Sequence, residues 1–341
     1  MKKEPSTAAP QALPMSVLVA GAGTMARVHA EALSEIPEVK LTGIVNDGVA
    51  SAKKLAIDFG TRPFKSLKEA LRATEAHAIF VCVPTPLHRS IVTEAARAGL
   101  HVFCEKPIGR TVREAEAMIQ ICEKANVLFM VGHVLRYFPQ YAKLHDLVVG
   151  GEVGRPAMAR MSRGGAEPRG ARDWYAQHGL SGGVLVDLLI HDFDWLRWTF
   201  GPVVRVHARH TPARKDRLSA YVLAILRHQS GVISHVEGYW GHELPFQTRV
   251  EIAADKGALH YDSLHPAAVE LHRGERRSDR AAILLPESPV APSPYCAEDQ
   301  HFVDCLRQKS KPALLPGDAL EALRISLACL ASVRKGEAIC L

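Results

Sequence analysis

A lysine, an aspartate and a histidine in this chain have the side-chain types needed to move a proton and steady a negative oxygen. Lys106 stands in the stretch FCEKPIG, directly after an apolar run at 100–104. Such a run reads as a buried strand, and Pro107 both stops it and restricts Lys106 to an extended backbone. An ammonium fixed there can bond a hydroxyl or carbonyl oxygen and stabilise alkoxide charge. A solvated loop is the plain alternative. Further on, SGGVLVDLLIHDFDW places Asp187 and His191 four residues apart. On a helix that spacing puts both on one face. The residues between them are apolar, so the segment is buried, and a buried Asp and His need partners. Three readings follow: a structural Asp–His hydrogen bond, a general base His191 oriented by Asp187, or part of a metal site. A cationic Lys106 in the same pocket opposes the third, and no metal is expected. Asp192 and Asp194 read as partners in local pairs rather than as reacting groups.

These residues need elements to carry them. Apolar runs rich in Val and Ile at 16–20, 39–45, 77–83, 100–104 and 127–131 alternate with helix-like segments at 24–35, 49–59, 66–73, 87–99 and 112–125. That alternation predicts a parallel sheet covered by helices on both faces. Beyond about residue 135 the pattern changes. A helix is expected at 137–149, a strand at 156–162, a Gly/Arg-rich loop at 163–172 and a helix from Gly183 to Phe200. Strand-like runs follow at 203–210, 218–227, 231–240, 247–254, 257–262 and 267–272. Short turns between them predict an antiparallel sheet. A proline-rich connection at 286–294 leads to helices near 296–309 and 317–335. The fold class is α/β: a doubly wound Rossmann sheet at 15–135, then an α+β domain at 136–341 with an open, mostly antiparallel sheet. Residues 1–14 read as a disordered tail without the apolar core of a signal peptide.

The first strand runs into GAGTMA, a G-x-G-x-x-A loop formed by Gly21, Gly23, Thr24, Met25 and Ala26, and a helix follows. Gly21 suits a tight turn, Gly23 lets backbone approach a pyrophosphate, and Ala26 lets helix pack on strand. The helix N-terminus then presents N–H groups and a positive dipole end to phosphate. A glycine turn in another α/β protein is the alternative. The second strand ends at Asn46 and Asp47, where an acidic residue would bond the adenosine ribose and repel a 2′-phosphate. No Arg or Lys stands there to clasp such a phosphate, so NAD is favoured over NADP. Crevices form outside the carboxyl ends of strands, which brings Pro84, Thr85, His88, Glu105 and Lys106 to the cofactor and His133, Arg136 and Tyr137 to the cleft. Arg163 and Trp174 flank the loop before the Asp187 helix and are further candidates for substrate hydroxyls or cleft closure. For Tyr137 and Trp174 packing is an equal reading.

The net charge is +6, with 47% apolar and 23% charged residues. The arginine cluster at 273–280 contains acidic residues and no aromatics, which reads as a solvated hairpin rather than a nucleic-acid surface. No run spans a bilayer. Seven cysteines, at 82, 104, 122, 296, 305, 329 and 340, show no C-x-x-C pair, as in a reduced, cytoplasmic protein.

With GAGTMA, PTPLH, CEKP and SGGVLVDLLIHDFDWLRW in view, the chain resembles the glucose–fructose oxidoreductase / inositol dehydrogenase / rhizopine-catabolism (Gfo/Idh/MocA) family from Met15 to Lys335. The resemblance implies a Rossmann domain followed by a domain whose open sheet builds homodimers or homotetramers. It implies a cis bond between Lys106 and Pro107. It matches Lys106, Asp187 and His191 to the family's catalytic set, and implies a sugar, inositol or related polyol as substrate. The implied activity is hydride transfer between a secondary alcohol and the nicotinamide of NAD(P). A non-catalytic NAD(P) sensor of the same fold, or a dihydrodiol or imine reductase, are the alternatives. The chain departs from the pattern at Asn46, at Gly182-Gly183-Val184 in place of three glycines, and at Leu189 in place of a glycine.

Overall fold

A computed structural model describes residues 14–166, 168, 174, 175, 177–214, 217–241, 246–265, 270–273, 283, 284 and 293–341. The tail at 1–13, the hairpin at 274–280 and most of the proline-rich connection lie outside the described residues.

The first half is a six-stranded parallel sheet: β1 (Met15–Ala20), β2 (Val39–Val45), β3 (Pro63–Phe64), β4 (Ala78–Val81), β5 (His101–Glu105) and β6 (Phe129–Gly132). Their order in space is β3-β2-β1-β4-β5-β6, the doubly wound order whose chain reversal falls between β1 and β4. Helices α1 (Thr24–Ser34), α2 (Val49–Asp58), α3 (Leu67–Ala73), α4 (His88–Arg97) and α5 (Val112–Lys124) fill the crossovers. The interior strands have no polar face: Val17, Leu18, Val19, Ile79, Phe80, Val102 and Phe103 are all fully buried. A sheet covered on both sides requires such continuous apolar runs, which is why they are readable in the sequence. The two-residue strand β3 carries no such run, and sequence periodicity passes over it.

A short 3₁₀ turn at Val134–Tyr137 leads into α6 (Pro139–Val149). The expected single helix at 137–149 is therefore a turn followed by a helix, separated at Phe138, the N-cap of the second, with Pro139 as its first residue. Strand β7 (Pro156–Gly165) runs three residues further than 156–162. Next come α7 (His178–Ser181), a π-turn at Val184–Leu188 and α8 (Ile190–Phe200). The single helix expected from Gly183 is thus a π-turn joined to an α-helix. Then follow β8 (Val203–Arg214), β9 (Arg217–His228), β10 (Ile233–Trp240), β11 (Gln247–Ala254), β12 (Gly257–Asp262), β13 (Glu270–Arg273) and β14 (Ile283–Leu284). The chain closes with α9 (Pro294–Leu306), α10 (Pro316–Lys335) and β15 (Ile339–Cys340).

Among the described residues the second sheet has nine strands in the order β14-β13-β12-β11-β7-β10-β9-β8-β15. All its pairings are antiparallel except β10 with β7. In β10, alternate residues from Ser234 to Trp240 are buried while those between are more open. One face of the sheet therefore packs on α10 and on the π-turn at Val184–Leu188, and the other stays more open. The last two helices return to the first domain: α9 lies against α1, and α10 against α5. No helix among the described residues is long and apolar enough to cross a membrane.

Candidate active site

A cavity of about 490 Å³ runs from the glycine loop after β1 to the carboxyl ends of β4 and β5. At one end are Gly21, Gly23, Asn46 and Ser51; at the other are Lys106 and Asp187. Gly21 has φ +116°, and a Cβ there would meet the Cys82 carbonyl oxygen. No other residue type fits that turn. Gly23 is the N-cap of α1 and makes no side-chain cap, so the first-turn N–H groups have no side-chain acceptor. Beyond Gly23 a Cβ would meet nothing within 4 Å. An open, uncapped helix N-terminus beside a dinucleotide-sized trough fits the diphosphate of a dinucleotide. Thr24, Met25, Pro84, Thr85 and Glu105 line the same trough. Asn46 donates from its amide to the Gly48 carbonyl at 3.1 Å, and the Ser51 hydroxyl donates to that same oxygen at 3.1 Å. Asp47 is exposed beside them, and Ala26 is buried behind the loop.

His88 is placed by a different demand. Its ring is buried, with Nδ1 at 3.0 Å from the Pro107 carbonyl and Nε2 at 2.9 Å from the Val83 carbonyl. It ties the turn after β4 to the turn after β5, behind the cavity. The Lys106–Pro107 bond is cis. Thr111 and Glu114 form a capping box that starts α5 directly after this turn. Arg110, just before Thr111, donates to the carbonyls of His178 at 3.3 Å and Gly179 at 3.4 Å. The lysine turn is thereby fastened to the segment that precedes Asp187, a link that sequence spacing does not signal.

The ammonium of Lys106 donates to the main-chain carbonyl of Asp187 at 2.8 Å and to its carboxylate Oδ1 at 3.3 Å. Asp187 sits in the π-turn, between Gly182 and Gly183, both at positive φ, and the start of α8. Burial alone would lower the Lys106 pKa, but the charges of Asp187 and Glu105 outweigh it and hold it above its usual value. Lys106 is therefore a cation. His191, in the first turn of α8, goes the other way: burial first, then the charges of Lys106 and Arg163, push it well below the ordinary histidine value. His191 is a neutral imidazole, and its Nδ1 has no partner among the described residues. His133, after β6, is fully buried with its ring centroid 6.3 Å from that of His191, and neither of its nitrogens has a hydrogen-bond partner among the described residues. Opposite charge states of this kind suit an electrostatic donor and a base. The reading of Asp187 and His191 as mutual partners does not hold: Asp187 engages Lys106.

The remaining candidates divide. Arg136 is buried and donates twice to Asp194, at 2.7 and 2.8 Å. Arg163 is buried and donates twice to Asp192, at 2.7 and 3.0 Å, and once to Tyr141. Both guanidinium groups are committed to the acids of α8, as the local-pair reading of Asp192 and Asp194 expects. The Tyr137 hydroxyl is buried and unpartnered among the described residues. Trp174 lines the cavity, its ring 4.1 Å from that of Tyr175. Tyr175 and Ser51 also line the cavity and escaped sequence reading; proximity to Trp174 and to Asn46 was the available signal. No cluster of three or more potential metal ligands occurs among the described residues.

Residues 15–133 match the model of an oxidoreductase family with an NAD-binding Rossmann fold, and residues 141–260 match the Gfo/Idh/MocA C-terminal domain. The chain belongs to the Gfo/Idh/MocA family of oxidoreductases. It is 26% identical to myo-inositol 2-dehydrogenase of Thermotoga maritima, covering 95% of this chain and 98% of that one. It is 29% identical to inositol 2-dehydrogenase of Leifsonia xyli, covering 94% and 92%. Among solved structures, GenD2 from gentamicin A biosynthesis in complex with NAD superposes with a TM-score of 0.86 at 23% identity, over 97% of both chains. That last likeness concerns the fold.

Proposed function

We propose that the protein is an NAD-linked dehydrogenase acting on a secondary alcohol of a sugar, inositol or related polyol. The observation that carries this reading is the dinucleotide trough itself, with the Lys106 ammonium held at one end of it by Asp187. When bound, the nicotinamide supplies the hydride acceptor. Gly21, Gly23, Thr24, Met25 and Ala26 hold its diphosphate side, and Asn46 and Ser51 its adenosine side. His191 accepts the hydroxyl proton. Lys106 donates to the same oxygen and stabilises the negative charge that develops there. Asp187 keeps the ammonium aimed into the cavity. His133 and Tyr137 offer polar atoms that lack hydrogen-bond partners among the described residues, and Trp174 closes the cleft. NAD rather than NADP is supported because, among the described residues lining the trough, Lys106 is the basic one and stands at the end away from Asn46 and Ser51.

Residues 15–135 serve the cofactor and residues 136–341 serve substrate and assembly. Val204, Tyr221, Ile225 and Ile233 are exposed large apolar residues on neighbouring strands of the second sheet. They support a homodimer or homotetramer formed through that sheet. All seven cysteines are free, which fits a reducing, cytoplasmic setting.

The test is a spectrophotometric screen of inositols, sugars and sugar acids with NAD and NADP, repeated with Lys106→Ala. We expect NAD-dependent turnover of one polyol class, cut about a thousandfold in the variant while NADH binding stays within roughly twofold. Near-normal turnover of Lys106→Ala would overturn the assignment.

A further inference from the structure

Behind Lys106 the structure holds a second polar assembly that the chemistry above does not use. His29, on α1 six residues after Gly23, is fully buried against the rings of Phe80, Phe103 and Tyr295. Its Nε2 lies 3.0 Å from Glu105 Oε1, and its Nδ1 lies 2.9 Å from Asp299 Oδ1 on α9. The other oxygen of Glu105 accepts the main-chain N–H of Lys106 at 3.0 Å. The path therefore runs from α9 through α1 to the backbone of the catalytic lysine in three hydrogen bonds.

The geometry sets a proton count. A neutral imidazole has one N–H and one lone pair. With a carboxylate oxygen at each nitrogen, one contact would set lone pair against lone pair. Both are hydrogen bonds when the ring is doubly protonated, or when one acid carries a proton. The charges favour the imidazolium: burial alone would lower His29, but Asp299 and Glu105 hold it well above the ordinary histidine value. Burial would likewise raise Glu105, but the bond and charge of His29, with Lys106, hold it below its usual value. Glu298, the preceding residue on α9, is buried with both oxygens unpartnered among the described residues. Burial and the charge of Glu105 push it well up, so it is neutral and adds no further charge.

We propose that His29 is a positioning residue for Lys106: bonded through both nitrogens, it fixes the carboxylate of Glu105, which in turn fixes the main-chain N–H of Lys106. This rests on the reading of Lys106 as the catalytic group, and the experiment separates the two. An asparagine amide placed at 29 reproduces the Nδ1 contact with Asp299, whereas a glutamine amide reproduces the Nε2 contact with Glu105. Both remove the ring's charge equally.

The full-length protein is made as His29→Gln, His29→Asn and His29→Leu, and as Glu105→Gln in case the leucine variant does not fold. Glu105→Gln offers one acceptor oxygen where two are used. Two quantities are read. The acylation rate of the Lys106 amine, mapped by mass spectrometry, reports its placement without any turnover. The second is kcat, with KM for the cofactor. We expect His29→Gln to label at the wild-type rate and to keep kcat within about threefold. In His29→Asn, His29→Leu and Glu105→Gln, Lys106 labels severalfold faster and kcat falls roughly tenfold or more, with cofactor KM little changed. Equal Lys106 labelling in all four variants and wild type overturns the positioning role. Altered labelling with unchanged kcat keeps the positioning role and overturns the catalytic reading of Lys106.

Discussion

Helix α8 carries, within four residues, two kinds of polar side chain. Asp192 and Asp194 are buried and saturated, each gripped by two hydrogen bonds from an arginine. His191 stands beside them with Nδ1 unpartnered, next to a histidine that has no hydrogen-bond partner among the described residues. The aspartates are fully buried and His191 partly so, but the larger difference lies in satisfaction. Groups whose hydrogen bonds are complete hold the helix on its sheet. Groups whose bonds are incomplete keep polar atoms that a ligand can engage.

The comparison breaks first at Arg163. Removing it leaves the Asp192 carboxylate buried without a counter-charge, a loss that costs about 3–5 kcal/mol. Arg163→Met should therefore lower stability by that amount in urea unfolding, while turnover per folded molecule changes less than about threefold. The double variant Arg163→Met/Asp192→Leu should regain most of the loss, because an apolar pair replaces a buried ion pair at little net cost. A large rise in substrate KM instead would return Arg163 to the substrate site, where its place before the Asp187 segment had suggested it.

His191 should show the opposite profile. His191→Asn removes the base and should cut kcat about a hundredfold or more. At neutral pH its stability should barely move, since a neutral side chain replaces a neutral imidazole. Acid pH separates the two proteins. A histidine depressed in the fold binds fewer protons there than in the unfolded chain, so wild type loses stability as pH falls below the ordinary histidine value. The variant lacks that term and should lose less on acidification, read as the difference in Tm between about pH 7.5 and pH 5.5. In wild type the acid limb of kcat/KM should lie below the usual histidine range, and in His191→Asn that limb should vanish.

The same division governs what the sequence could disclose. The interior strands and the glycine loop are written in local patterns: continuous apolar runs, and Gly21 where no Cβ fits. Lys106 was locatable because a strand ends beside it. The partners were not, because they lie far off in sequence: Lys106 meets Asp187 across 81 residues, and His29 meets Asp299 across 270. Four-residue spacing suggested that Asp187 and His191 face one another, but the π-turn at 184–188 shifts the aspartate toward the lysine. No side-chain periodicity announces a π-turn, a rare single-turn departure from the α-helix. Arg136 and Arg163 looked like ligands for substrate hydroxyls because sequence shows the charge and hides the aspartate that absorbs it.

The smallest expected effect tests the comparison at the far end of the trough. Asn46 is a half-satisfied group: its amide donates to the Gly48 carbonyl, and it lines the cavity. If it is held for a ligand, the ligand is the adenosine ribose. Asn46→Asp exchanges the amide for a carboxylate, which accepts from ribose hydroxyls more strongly and repels a 2′-phosphate. The NAD-to-NADP ratio of kcat/KM should rise, by about tenfold, through KM rather than kcat. The exchange also costs the bond to Gly48, since a carboxylate cannot donate, so the turn before α2 should loosen slightly and limit the gain for NAD itself. The ratio is therefore the decisive quantity and the NAD affinity is not. An unchanged ratio would mean that Asn46 serves its turn alone, as Asp192 and Asp194 serve their helix.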